Sequence, residues 1–357
     1  MTQTYDLSHP LSRTQANKIG KLLKEVNQGD VAYSEIREQV SQWRAQHTYS
    51  TECCFKQLID CSQSIHGAVA SYRLKRLVSI EKKICRPHTN LRLGELDDIG
   101  GCRLIVPKVE DVFNIAHKLK ERLTFKNGKS IKDYIHKPPQ SGYRSLHLLA
   151  RMPDSTGKSY RVEIQLRTQL EHLWSTAIEA VGEIYGTEYK SPETLINAAG
   201  KDQERLRFFL IISDLFALEE GTPRCLAEYA TYDDLIFALR NINCLNRLID
   251  DLEAASEGVW DIFESDSQKE LHLLEFNRDQ QTLEIRSYTM KDVGVALDEY
   301  KQMENQIISP KSTAGISPES QLNTVLAFAH SNEELQLAYP NYSANVRKFL
   351  DKIKTYL

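Results

Sequence analysis

Two acidic residues, Asp98 and Glu163, stand apart from the other carboxylates of this 357-residue chain because of what surrounds them. Glu163 lies in Arg161–Thr168, where Val162, Ile164 and Leu166 alternate with Arg161, Glu163, Gln165 and Arg167. A period of two marks a strand with one apolar and one polar face. An acid, an amide and two guanidinium groups in a row are costly on a strand unless water or a ligand meets them. Upstream, the turn Ser141-Gly142 feeds a second strand through Tyr143-Arg144-Ser145-Leu146-His147, whose polar members are Ser145 and His147. Asp98 opens Asp98-Ile99-Gly100-Gly101-Cys102-Arg103, where an Asp is either a turn former or a metal ligand. Arg103 falls inside the apolar run Cys102–Val106, while Arg73, Lys75, Arg76, Ser79, Lys82 and Lys83 make a basic run that also reads as the solvated face of a helix. Tyr, His, Glu, Gln and Arg turned toward one cleft suit a polyanionic substrate that carries a ring. The aromatic stacks, the cations hold phosphate, and the carboxylate serves a metal or a hydroxyl.

The elements that must position these residues follow from periodicity. Residues 1–50 read as polar helix, and a longer helix from about Thr51 carries Phe55, Leu58, Ile59, Ile65, Val69 and Tyr72 inward, so that its end delivers Arg73 and Lys75. A strand over Cys102–Val106 stops at Pro107, and Lys108–Leu123 is an amphipathic helix. Residues 124–140 form a basic, loop-rich stretch. After the two polar-faced strands, Gln169–Tyr185 keeps helical spacing and ends at Gly186, where a C-cap falls. Strand, helix, strand, strand, helix in this order predicts an α/β mixed sheet with helices on its apolar side. Helical segments continue over 191–260, with a capping box at Thr231–Asp234. From 265 the texture changes to a hairpin (Glu270–Phe276 with Thr282–Tyr288), a helix, a Ser/Pro/Gly linker, a strand and a terminal helix. We expect four units: an N-terminal helical segment (1–50), a site-bearing domain (51–190), a helical extension (191–260) and a small separate α+β module (265–357).

Composition limits the class. With 41% apolar and 26% charged residues, the chain can bury a core as an ordinary water-exposed protein does. The longest apolar run, Phe208–Leu218, is eleven residues and includes Ser213 and Asp214, too short to cross a bilayer. The first residues, MTQTYDLSHPLSRTQ, lack an apolar signal core. Seven Cys without a C-x-x-C spacing argue for a reducing cytoplasm and against a disulfide framework or a zinc site. Residues 1–190 carry 29 Lys and Arg against 21 Asp and Glu, whereas the remainder carries 16 against 28. A basic front half suits phosphate-rich substrates, and an acidic back half argues against a nucleic-acid-binding tail.

Four stretches together carry a resemblance. Arg73-Leu-Lys75-Arg76-Leu-Val-Ser79-Ile80-Glu-Lys-Lys83, then DDIGGCR at 97–103, GYRSLH at 142–147 and VEIQLRT at 162–168 resemble, in order, the RelA/SpoT synthetase domain that makes (p)ppGpp alarmones. The match covers roughly residues 70–185, and the residues beyond about 190 gain nothing from it. It implies a nucleotidyltransferase-like fold and a Mg²⁺-dependent pyrophosphokinase that moves the β,γ-pyrophosphate of ATP to the ribose 3′-OH of GDP or GTP. In that reading Asp98 and Glu163 are the catalytic, metal-holding acids. Arg73 and Arg103 sandwich adenine, and Lys75, Ser79 and Lys83 hold the ATP phosphates. Tyr143 stacks the acceptor's guanine, and His147, Gln165 and Arg167 line its phosphates and ribose. The family's D-Y-I-x-x-P-K has Pro139 in place of its Lys here, so Lys132 or Lys137 stands in and the acceptor stays open. Two other readings follow: a toxic family member that modifies tRNA 3′ ends or adenosine nucleotides, with a regulator or antitoxin at the C-terminal module, and a decayed nucleotide sensor. Small relatives often assemble, so the resemblance leaves a homo-oligomer open alongside a monomer. None of the ten His precedes an Asp, so the HD hydrolase of the long bifunctional members is not expected.

Overall fold

The computed structural model describes residues 10–27, 30–87, 89–125, 130–154, 156–190, 192–256, 269–277, 282–308, 322–338 and 343–357. Helices α1 (Arg13–Glu25) and α2 (Val31–Ala45) pack with α4 (Leu77–Ile84) around Ile19, Leu23, Ile36, Val40, Ile80 and Ile84. Ser12 caps α1 in a reciprocal box with Gln15. Helix α3 (Thr48–Ser62) then leads to strand β1 (Val69–Leu74), with β2 (Gly100–Val106) and α5 (Val109–Arg122) following α4.

The expected long helix from Thr51 to Tyr72 is therefore two elements. Gly67, at φ +82°, turns the chain out of the helix, and Val69–Leu74 then pairs antiparallel with β2, Arg73 lying opposite Gly101. The helical spacing of Ile65, Val69 and Tyr72 yields to ladder hydrogen bonds and to packing of Tyr72 on Phe55, ring centroids 5.3 Å apart.

Strand β3 (Ile131–Asp133) forms where a loop was expected and pairs with β4 (Leu146–Pro153), which runs antiparallel to β5 (Ser159–Thr168). Strand β5 lies parallel to β2 and feeds α6 (Gln169–Tyr185) through a Thr168–Glu171 capping box. Helices α7 (Pro192–Asn197), α8 (Lys201–Glu219), α9 (Tyr232–Arg240) and α10 (Leu245–Ser256) follow. The alternation is realised as read. Val162, Ile164 and Leu166 join Cys102, Leu104, Leu146 and Leu148 in one core that α3 and α5 complete with Phe55, Leu58, Val112 and Ile115.

The last part of the chain departs from expectation. Strands β6 (Leu271–Asn277) and β7 (Thr282–Tyr288) form the hairpin, α11 (Val293–Ile308) follows, and β8 (Leu322–Phe328) pairs with β6. But β8 also pairs with β1, so one mixed sheet runs β3-β4-β5-β2-β1-β8-β6-β7. The expected separate module over 265–357 is instead an extension of the site-bearing sheet. Helices α12 (Asn332–Ala338) and α13 (Ser343–Lys354) cover that sheet together with α6 and α8. The Phe349 ring stacks on Phe209 at 6.0 Å, and the chemical reason is plain: β1 otherwise offers an unpaired edge, and α6 and α8 an unburied apolar face.

Candidate active site

Pairing register fixes which side chains share a face. Arg73 lies opposite Gly101, Gly101 beside Glu163, Arg103 beside Gln165, and Gln165 opposite His147, whose other neighbour is Lys132. Arg73, Arg103, Glu163, Gln165 and His147 thus lie on one face of four adjacent strands, opposite the apolar core. Asp98 sits in the turn just before β2, where its negative charge raises the Glu163 carboxyl.

Asp98 is held by two cations. Its Oδ2 accepts from Lys83 Nζ at 2.7 Å and lies 3.0 Å from Lys75 Nζ. Burial pushes this carboxyl up, yet Lys75 and Lys83 outweigh burial and hold it at about 2. Lys75 comes from the turn after β1 and Lys83 from the last turn of α4, so the basic run converges on one carboxylate rather than spreading over a solvated helix face. The other oxygen, Oδ1, is buried without a hydrogen-bond partner among the described residues. A buried, unpaired carboxylate oxygen fits a hard cation such as Mg²⁺, which takes one or two carboxylates and completes its shell with substrate phosphates and water. Ser79, half-buried on α4, belongs to the same helix as Lys83.

Glu163 is enclosed differently. His147 Nδ1 is 3.1 Å from its Oε1, and Gln165 Nε2 donates to its Oε2 at 2.8 Å. Burial raises the carboxyl, but the His147 and Gln165 hydrogen bonds prevail and hold it below the ordinary glutamate range. Arg161, the alternative partner for Glu163 on the same strand, instead bonds Asp97 and the carbonyls of Gly94 and Glu95.

Arg103 is largely buried, and its Nε has no partner among the described residues. Burial, then the nearby Arg167 and Arg73 guanidinium groups, bring it down to about 10. Arg73 is exposed on the next strand. Guanidinium planes brought this close gain most from a flat, electron-rich ring or an anion. The glycine pair divides its work. A Cβ on Gly100 would stand 2.1 Å from Thr51 Oγ1 of α3, whereas Gly101 meets only backbone oxygens at 3.9 Å. Gly100 permits helix packing, and only Gly101 leaves the site face open.

Four sequence-derived residues are placed as follows. Arg167, 4% exposed, bonds Ser145, Ser175, Tyr143 and Gln165, so its guanidinium is spent inside the protein rather than lining a phosphate. Tyr143 is half-buried. Its hydroxyl bonds His147 Nε2 at 2.8 Å, its ring meets Tyr134 and Trp174 at 5.7 and 6.4 Å, and Arg167 and Lys190 lie over it at 5.1 and 5.5 Å. Lys132 and Lys137 are exposed on and just beyond the short edge strand. Two participants escaped the sequence reading. Tyr134 stands edge-on to both Tyr143 and His147. Lys190 bonds Ser175 and Glu179 and is brought down to about 8 by burial against the opposing pull of Glu179. Tyr134 lies within the D-Y-I triplet, so its spacing to the turn at Gly142 was available, whereas nothing near Lys190 marks it.

Residues 72–193 match the family described as the region found in RelA / SpoT proteins. The chain is 33% identical over 111 residues to the GTP pyrophosphokinase YwaC of Bacillus subtilis, covering 29% of this chain and 52% of that protein. It is 36% identical over 116 residues to the probable chloroplastic GTP diphosphokinase RSH3 of Oryza sativa, covering 32% and 15%. The chain thus spans about half the length of the first relative and far less of the second. Among solved structures, small alarmone synthetase 1 of Bacillus subtilis bound to its product pppGpp aligns at 23% identity and TM-score 0.36, over 51% of this chain and 93% of that one. A GTP pyrophosphokinase family protein of Streptococcus pneumoniae aligns at 22% identity and TM-score 0.37, over 50% and 87%. Residues 72–193, which contain all four sequence stretches and the two carboxylates, are thus similar to the region found in RelA / SpoT proteins.

Proposed function

We propose that the chain is a pyrophosphokinase that transfers the β,γ-pyrophosphate of ATP to the ribose 3′-OH of a guanosine nucleotide. The observation that supports this most is the presence of two unlike, ionised carboxylates, one in the turn leading into β2 and one on the polar face of the adjacent β5. Asp98 is clamped by Lys75 and Lys83 with one oxygen unpaired, and Glu163 is oriented by His147 and Gln165. Asp98 and Glu163 would hold Mg²⁺, which, when bound, neutralises charge on the β- and γ-phosphates. Lys75 and Lys83 offer ammonium groups to the same phosphates, and Arg73 and Arg103 offer planar faces to adenine. Glu163, kept ionised, accepts the proton of the acceptor's 3′-hydroxyl as that oxygen bonds to the β-phosphorus. The bridging bond between the α- and β-phosphates breaks, and AMP leaves with the electron pair. Apart from the proton taken by Glu163, no bond forms to the protein, so catalysis rests on positioning and on cations set where charge develops.

The test is incubation with Mg²⁺ and γ-labelled ATP against GDP, GTP, ADP and deacylated tRNA in separate reactions. Label is expected on GDP or GTP. Transfer to tRNA or ADP alone would replace the acceptor while keeping the chemistry, and nucleotide binding without any transfer would favour a sensor. We also propose a homo-oligomer and a regulator bound through residues beyond 265, checked by light scattering and by co-purification.

A further inference from the structure

Five side chains of the site close a ring of hydrogen bonds. Tyr143 Oη meets His147 Nε2, His147 Nδ1 meets Glu163 Oε1, Glu163 Oε2 accepts from Gln165, Gln165 Oε1 accepts from Arg167, and Arg167 Nη2 donates to Tyr143 Oη. For a neutral imidazole the donor and acceptor inventory favours one arrangement. Arginine only donates, so the Tyr143 oxygen accepts from it. An ionised glutamate only accepts, so His147 Nδ1 carries a proton. In a neutral ring the hydroxyl hydrogen of Tyr143 then goes to His147 Nε2, the bare nitrogen.

We infer that the Tyr143 hydroxyl is a positioning group, distinct from the ring that carries it. It fixes His147 in the Nδ1–H tautomer and through it aims the Glu163 carboxylate at the acceptor hydroxyl. Tyr134 and the ring of Tyr143 stand edge-on to His147 at 5.2 and 5.7 Å and leave the imidazole little room to turn away. Without the hydroxyl, the Nε2–H tautomer becomes available, and its Nδ1 lone pair faces the Glu163 oxygen instead of donating to it. This rests on the proposed reading of Glu163 as the group that takes the acceptor's proton. It gives one side chain two separable tasks: the ring contributes apolar surface to a bound base, and the oxygen sets the geometry of a carboxylate it does not touch.

Tyr143→Phe removes that single oxygen and keeps the ring. With MgATP and the accepted nucleotide, we expect kcat to fall by about 10–100-fold, as for other lost outer partners of a functional group, while the acceptor KM stays within about threefold. Tyr143→Leu, which loses the ring as well, should raise that KM in addition. Independently of activity, ¹⁵N spectra of the full-length wild type, with His147 identified by His147→Gln, should show Nδ1 protonated and Nε2 bare, and Tyr143→Phe should populate the other tautomer. A wild-type kcat in Tyr143→Phe overturns the inference, as does an Nε2-protonated His147 in the wild type. If the wild type transfers nothing to any acceptor, the functional reading is what fails, and the nitrogen spectra still decide whether the hydroxyl sets the tautomer.

Discussion

At Asp98, one carboxylate oxygen accepts two ammonium groups while the other is buried and unpaired. Asp98→Asn leaves Lys75 and Lys83 side by side without their anion. We expect a loss of about 1–3 kcal/mol in urea unfolding, the usual size for charged hydrogen bonds, and at least tenfold weaker binding of Mg-ATP by calorimetry. Unchanged binding would remove Asp98 from the nucleotide site. At this scale the sequence was most legible where a polar residue broke an apolar pattern. Glu163 and Gln165 followed from strict alternation, and Arg103 from its place within Cys102–Val106. Arg167 was misplaced because alternation assigns a face but not a depth. The polar face of β5 dips under α6 at its end, where Ser175 and Tyr143 take up the guanidinium. Spacing could not assign Lys75 and Lys83 to one carboxylate, because the approach of α4 to the β2 turn is a tertiary fact.

Among the elements, the junction of β5 with α6 combines two roles. Thr168 and Glu171 form the capping box of α6, and Glu171, 2% exposed, also faces Glu220 at the end of α8. Both carboxyls are pushed up, Glu171 by burial and then by Glu220, and Glu220 mainly by burial; Thr168, Arg144, Arg167, Glu219 and Glu110 are the other groups near them. A carboxyl raised in the folded state stabilises below its unfolded value of 4.5, and the benefit disappears as pH rises toward the folded value, about 8 for Glu171. Thermal stability should therefore decline between about pH 5 and 8. Glu220→Gln should raise the melting temperature at pH 8 and change it little at pH 5. An equal shift at both pH values would show that the pair does not share a proton. Helix α6 was legible from its apolar spacing and from Gly186 at its end. The strand β1 was not, because Val69 and Tyr72 fit helical and extended periods alike and only pairing with β2 and β8 decides between them.

Across the molecule, the two ends of the chain meet in one sheet. The strands β6, β7 and β8 were readable as strands, but local pattern does not name a strand's partner, and the pairing of β8 with β1 joins residues more than 250 apart in sequence. The terminal helix α13 packs on α8 through apolar contacts: Phe349 is fully buried among Phe208, Phe209 and Phe216. Phe349→Ala should cost about 3–5 kcal/mol and lower a single unfolding transition of the whole chain. If the last hundred residues were a separate module, calorimetry would show two transitions with only one displaced.

The central claim is that Asp98 and Glu163 serve one reaction centre. Its most direct test is the count of AMP released per labelled pyrophosphate transferred, in the wild type, Asp98→Asn and Glu163→Gln, with each protein confirmed folded. One AMP per transfer is expected in the wild type, with the rate of transfer falling at least about 100-fold in both variants, the scale of a lost catalytic acid or base. Wild-type turnover in either variant would contradict it.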